Sequence, residues 1–173
     1  TSFDQDLLYI PKDGVCIFNN AEYKTKITVK NHYRKNSNNF KINSFNESGI
    51  AALGDSFTMG IGVNDSETFA SIIERKIKRR VYNLGVSSYG TRREIINLIK
   101  SKHIERVQTI IIQYCDNDLE ENYYMKKGKK YNVSEYEYLS NYNPKDYDNT
   151  KFFLRKYKTS WRLLFLEIRD LFY

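Results

Sequence analysis

Ser56 is the residue around which chemistry could be built. It stands in "LGDSFTMGIGV", residues 53–63, between the apolar run "GIAA" and the helical pattern of "NDSETFASIIERKIKRR". A serine that opens a helical turn presents its hydroxyl to a cleft. Its own backbone N–H points the same way, and a helix start favours developing negative charge. Two further stretches carry groups that could join it: "NLGVSSYGT", residues 83–91, and "YCDNDLEEN", residues 114–122. The loop around Ser88 offers another backbone N–H, and Asn117 offers a carboxamide. Donors converging on one point make an oxyanion hole, in which each donor typically contributes ~2.7–4 kcal/mol of transition-state stabilisation. The chemistry predicted is acyl transfer, which needs neither a metal nor a cofactor.

These stretches must be brought together by the elements around them. "GIAALG" reads as a buried strand, and "SETFASIIERKIKRR" places Phe69, Ile72, Ile73 and Ile77 on one helical face. "VYNLG" is a second short strand. "TRREIINLIKSK" has Thr91 and Glu94 at capping-box spacing, with Ile95, Ile96 and Ile99 as its apolar side. "VQTIIIQYC" is a third strand, apolar enough to be covered on both faces, as in a parallel sheet. Alternating strands and helices with short links predict βαβ units, hence a doubly wound parallel α/β sheet. Its ligand edge is at the C-terminal strand ends, where Ser56, the Ser88 loop and Asn117 all fall.

Residues 1–48 differ. They are polar and Asn-rich, and "TKITVKN" alternates as a half-buried strand should. They read as a short β-rich lead-in, with residues 49–173 forming the main domain. Within that domain, residues 118–158 read as a tyrosine-rich insertion with little periodicity, a long loop of the functional kind. "TSWRLLFLEIRDLFY" has Trp161, Leu164, Phe165, Ile168, Leu171 and Phe172 at helical spacing, with Ser160 as N-cap. Open parallel sheets commonly hold about five strands. The expectation is therefore that the domain is truncated here and that native sequence continues past Tyr173.

Composition narrows the function classes. The net charge of +7 permits a nucleic-acid partner, but the basic residues are scattered among acids and no zinc-finger, RRM or KH signature occurs. The reading is no nucleic acid and a solubilising surface. No apolar run is long enough to span a membrane. Cys16 and Cys115 form no C-x-x-C or Cys/His cluster, so no structural zinc is expected. Asp116, Asp118, Glu120 and Glu121 read as a solvated acidic loop rather than a metal site. The Gly54–Gly62 turn lacks the spacings of phosphate-binding loops, which ranks a nucleotide binder last. Oligomeric state leaves no signal.

"LGDSFTMG", "NLGVSSYGT" and "CDNDLEEN", in this order, resemble the SGNH (GDSL-type) hydrolase superfamily, named for blocks supplying Ser, Gly, Asn and His. The resemblance implies a three-layer α/β/α, flavodoxin-like fold. It implies Ser56 as nucleophile, Asn117 as oxyanion donor, Ser88 as backbone N–H donor in place of the family's glycine, and Asp55 as the residue shaping the nucleophile turn. Asp55 is too close in sequence to Ser56 to orient a histidine that must itself reach Ser56. "KNHYRKN" in the lead-in is weakly similar to an Asn-x-x-x-Arg element of such proteins. The family's Asp-x-x-His block is absent. His103 falls at the N-terminal edge of the sheet and His32 in the lead-in, so the base is expected beyond Tyr173 and this stretch alone is expected to be inactive.

The resemblance thus implies a serine esterase or deacylase acting on an acyl ester of a carbohydrate, lipid or small molecule. The alternatives are an O-acetyltransferase using the same site and an inactive binding or structural module of the same fold. By resemblance to bacterial members only, the cell envelope is favoured over the cytoplasm.

Overall fold

The computed structural model describes residues 1–19, 22–37, 48–124 and 131–140. The expected Trp161–Phe172 helix, with its Ser160 cap, lies outside the described residues, as does much of the 118–158 insertion.

The chain is mixed α/β. Strands β1 (Ser2–Asp4) and β2 (Leu8–Ile10) form a small antiparallel ribbon. Strands β3 (Gly14–Asn19), β4 (Lys24–Lys30), β5 (Tyr33–Arg34), β6 (Gly49–Leu53), β7 (Val81–Asn83) and β8 (Val107–Ile112) form one six-stranded sheet, ordered β3-β4-β5-β7-β6-β8. Strand β6 runs parallel to both its neighbours β7 and β8, as the sequence predicts. The sheet as a whole is mixed rather than parallel, because β3, β4 and β5 continue it antiparallel from β7 outward. The β3–β5 part of the lead-in therefore belongs to the same sheet as β6, the strand that runs into the serine turn.

Strand β4 alternates as expected: Thr25, Ile27 and Val29 are buried while Lys24, Lys26 and Lys30 are exposed, the two-residue period of a strand with one wet face. Asn31 and His32 connect β4 to β5 with φ of 57° and 66°, the left-handed pair that a tight two-residue hairpin turn requires. Asp13 accepts both their amides, at 3.0 and 2.9 Å.

Helices α1 (Ser56–Met59), α2 (Phe69–Ile77) and α3 (Thr91–Lys100) follow the strand ends. Alternate residues of β6 serve two different helices. Ile50 and Ala52 pack with Ala70, Phe69 and Ile73 of α2. Ala51 and Leu53 pack with Leu98 of α3 and with Tyr82 and Leu84. The helical faces are rotated from the apolar stripes of the sequence. Ile72 and Ile77 of α2 and Ile95 and Ile99 of α3 are exposed, while Glu74, Arg93, Glu94 and Asn97 are buried. Polar contacts explain this. Glu74 accepts from Val81 N at 2.8 Å, and Asn97 donates to the Leu84 carbonyl at 3.2 Å. Each ties its helix to β7 or to the loop after it.

Other expectations are corrected. Thr91 does not cap α3. Gly90 does so without a side-chain bond, because the Thr91 hydroxyl donates to Asp118 at 2.9 Å instead. The stretch after Cys115 is not simply a loop, since it holds α4 (Asp116–Tyr124) and α5 (Val133–Ser140). Among the described residues strand β8 is not covered on both faces: it stands at the edge of the sheet, and Ile110 and Ile112 are 49% and 47% exposed.

Candidate active site

The serine turn begins at Gly54, whose φ of 153° no side chain adopts easily. A Cβ there would also meet the Thr58 hydroxyl at 2.1 Å. Glycine thus lets the chain fold tightly back from β6 into α1. Asp55 is the N-cap, its carboxylate accepting from Phe57 N at 2.9 Å. Ser56 is the first residue of α1, half-buried. The helix lasts four residues and stops at Gly60, at φ 79°. A single turn carries little macrodipole, so its backbone N–H groups, not the helix as a whole, supply the positive potential.

The second loop presses directly on this turn. A Cβ on Gly85 would stand 2.4 Å from Met59 N and 2.7 Å from the Thr58 carbonyl carbon, so only glycine permits the approach. Asn83, fully buried, donates to Thr58 O at 2.9 Å while its oxygen accepts from Gly85 N at 3.2 Å. Ser88 is exposed, with φ at 64°. That is the left-handed conformation that glycine holds most easily.

Arg93 anchors this loop from α3. It donates to the Ser88 carbonyl and to Glu121, and to Leu7 O at 3.2 Å. Its guanidinium lies 4.5 Å from the Tyr89 ring centroid, a cation–π distance. Tyr9 of the lead-in donates to Ser87 O at 2.6 Å.

The third strand end meets the first through Cys115. Burial, then the Asp55 carboxylate beside it, push the Cys115 thiol above its usual range. Asn117 follows in the first turn of α4, half-buried. The strand-end stretches named from the sequence therefore converge. The serine turn meets the second loop through Thr58 and Met59 and the third through Asp55 and Cys115.

Four features escaped the sequence reading. The first is Arg34, 1% exposed. It donates to Met59 O at 2.5 Å, Gly60 O at 2.6 Å and Val63 O at 2.7 Å, and pairs with Asp65 at 3.0 Å. It thus satisfies the carbonyls at the end of α1 and fixes the turn from below. The only sequence hint was its place in "KNHYRKN".

The second is the placement of two of the acidic residues. Asp118 is fully buried, not solvated, and Glu121 is held by Arg93, while Asp116 is exposed as expected. The third is Glu94, fully buried with no partner for either carboxylate oxygen among the described residues. Burial, then Asp118, Asp55 and Glu121, push its pKa up to about 8. Among the described residues no group of three or more His, Cys, Asp or Glu is arranged to hold a metal ion.

The fourth is a pocket of about 510 Å³ at Ser56. The serine turn contributes Phe57, Met59 and Ile61, the second loop Val86 and Ser87, and the lead-in Tyr9, Pro11 and Phe18. Ser88 and Asn117 do not line it.

Neither histidine reaches Ser56. His103 stacks on Tyr82 at 4.2 Å and meets Tyr33 edge-on. Burial, then Arg106 and Arg80, depress its pKa. His32 donates through Nδ1 to Pro11 O at 2.9 Å and lines a different pocket, with Asn97 and Lys100. Both cysteines are free. No helix among the described residues is long and apolar enough to cross a membrane. Comparison with known protein families and with curated proteins finds no match for this chain.

Proposed function

We propose that the chain is the serine-bearing part of an SGNH-type esterase or deacylase, built on a three-layer α/β/α, flavodoxin-like arrangement. In this reading Ser56 Oγ attacks the carbonyl carbon of an acyl ester. The backbone N–H groups of Ser56 and Ser88 and the carboxamide of Asn117 receive the oxyanion, and the alcohol leaves. Asp55 shapes the turn that presents Ser56. The observation that carries the reading is the convergence of the stretches: Gly85 packs against the α1 backbone, and Cys115, two residues before Asn117, lies against Asp55. A buried Arg34 and a buried Asn83 bonded to the same short turn also fit a serine held in a fixed pose.

A serine needs a base. The sequence holds only His32 and His103, and neither is assigned that role here. The reading takes the base from outside these residues, as the resemblance implies through its Asp-x-x-His block. A sugar hydroxyl in place of water would make the same site an O-acetyltransferase. The absence of a histidine at Ser56 favours a second reading, a module that binds acyl esters without turnover.

Chemical rescue separates the two. Imidazole in solution stands in for the base, and a short-chain alkyl fluorophosphonate reports nucleophilicity by forming an Oγ–P bond with loss of fluoride and the hydroxyl proton. Imidazole-dependent labelling mapped to Ser56 by mass spectrometry, absent in Ser56→Ala and slowed ~10²–10³-fold in Asn117→Ala, is the expected result. Labelling that persists in Ser56→Ala would sink the nucleophile assignment.

A further inference from the structure

The pocket at Ser56 says what kind of ester the site would take. Its apolar lining includes Phe57, Met59 and Ile61 of the serine turn and Tyr9, Pro11 and Phe18 of the lead-in, and its polar side chains besides Ser56 are the small hydroxyls of Thr1 and Ser87. No Asp, Glu, Lys, Arg, Asn or Gln side chain lines it among the described residues. The Tyr9 hydroxyl already donates to Ser87 O, so its proton is not available to a ligand. A sugar ring placed here would lose water from its hydroxyls and find few partners, at a penalty for each unmade hydrogen bond. An apolar chain loses nothing of the kind, and gains about fourfold in affinity for each methylene fully buried. The volume, about 510 Å³, falls in the range of small-molecule sites and far exceeds the methyl of an acetyl group.

We infer that this pocket binds an apolar, medium-length chain of the ester attacked by Ser56. The lead-in sets that preference by supplying part of the apolar lining. The inference rests on the esterase reading, since it is Ser56 on the pocket wall that makes the chain part of a substrate. A carbohydrate portion, where the ester has one, stays outside the pocket. The chain can belong to the acyl or to the alcohol side of the ester, and the two sources are separable.

The test uses the whole chain with octanoate and 1-octanol as probes and acetate and ethanol as short controls. Binding is read by isothermal titration calorimetry and by protection of Ser56 from imidazole-assisted labelling with the short-chain fluorophosphonate. The expected result is that one octyl probe binds and protects at least about tenfold better than its short control. Protection by octanoate assigns the acyl side, and protection by octanol the alcohol side. Phe18→Asp and, independently, Ile61→Asp should abolish the octyl preference, with circular dichroism showing that each variant is folded.

Labelling of Ser56 with no octyl preference overturns the inference and leaves the esterase reading standing. So does an octyl preference unchanged in both variants. Octyl binding without any Ser56 labelling overturns both the inference and the esterase reading, because the ester bound would not be one attacked by Ser56, and leaves the binding-module reading.

Discussion

Replacing Glu94 by glutamine tests the electrostatics behind the serine turn. Glu94 is buried beside Asp118 and Asp55 with no partner among the described residues, and its pKa rises from 4.5 to about 8. In the unfolded chain it titrates at the ordinary value. Between these two pH values the folded state therefore holds a proton that the unfolded state has released. Linkage then makes stability fall as pH rises through this window and level off above it. At about 1.4 kcal/mol per pH unit, the whole interval sets an upper bound of about 5 kcal/mol. Interiors relax around charges as if the effective dielectric were near 20, so a plateau of ~2 kcal/mol is expected. Glu94→Gln has nothing to titrate. Its stability relative to wild type should be flat below pH ~4.5, climb across the window, and hold above pH ~8. Urea unfolding followed by circular dichroism from pH 4 to pH 9 gives this difference directly. A constant offset would report new amide contacts only. Parallel curves across the window would refute the assignment of Glu94 as a buried, protonated carboxyl.

Two further outcomes follow from the turn and its neighbours. Ser88→Gly should raise stability by ~0.5–1 kcal/mol, relief of the left-handed backbone outweighing the added freedom of the unfolded chain. It should leave Ser56 labelling intact, because the backbone N–H remains; a lowered melting temperature would contradict this. Arg34→Met should cost ~3–5 kcal/mol by leaving Asp65 buried and unpaired, and adding Asp65→Asn should recover part of the loss. A loss under ~1 kcal/mol in urea unfolding would show that Arg34 is not the clamp described.

The strands of the serine-bearing part were legible as unbroken apolar or β-branched runs. "GIAAL" became β6, buried throughout, and "VQTIII" became β8, whose apolar run did not foretell its exposure. The helix positions were legible, but their faces were not. Arg93 and Asn97 turn inward toward partners outside their helix, Glu94 turns inward with none among the described residues, and no periodicity rule expects a buried charge. Helix α4 went unread for the same reason. "DNDLEENYY" shows no apolar stripe, since what α4 buries is Asp118 and Glu121, against Thr91 and Arg93. Of the candidate site, Ser56, Asp55 and Asn117 stood out because their types and order carry chemistry. The Arg34–Asp65 pair did not, being 31 residues apart in sequence. The pocket was invisible because one side of it comes from Thr1, Tyr9, Pro11 and Phe18, which carry no motif.

The pairing of β5 with β7 bears on how this protein can be handled and how it folds. A piece cut to start at Gly49 would uncover the outer edge of β7, which β5 pairs at Asn83 and Asn36 bonds at the Val81 carbonyl. It would also strip the guanidinium from the end of α1 and the phenol from Ser87. Bare edges recruit other chains, so such a piece should self-associate and aggregate on expression. During synthesis the order is reversed. The hairpin bearing Arg34 emerges first and must wait for residues 56–83 before it has anything to grip. That long-range step is the kind that slows folding, which puts the locking of the serine turn late in assembly.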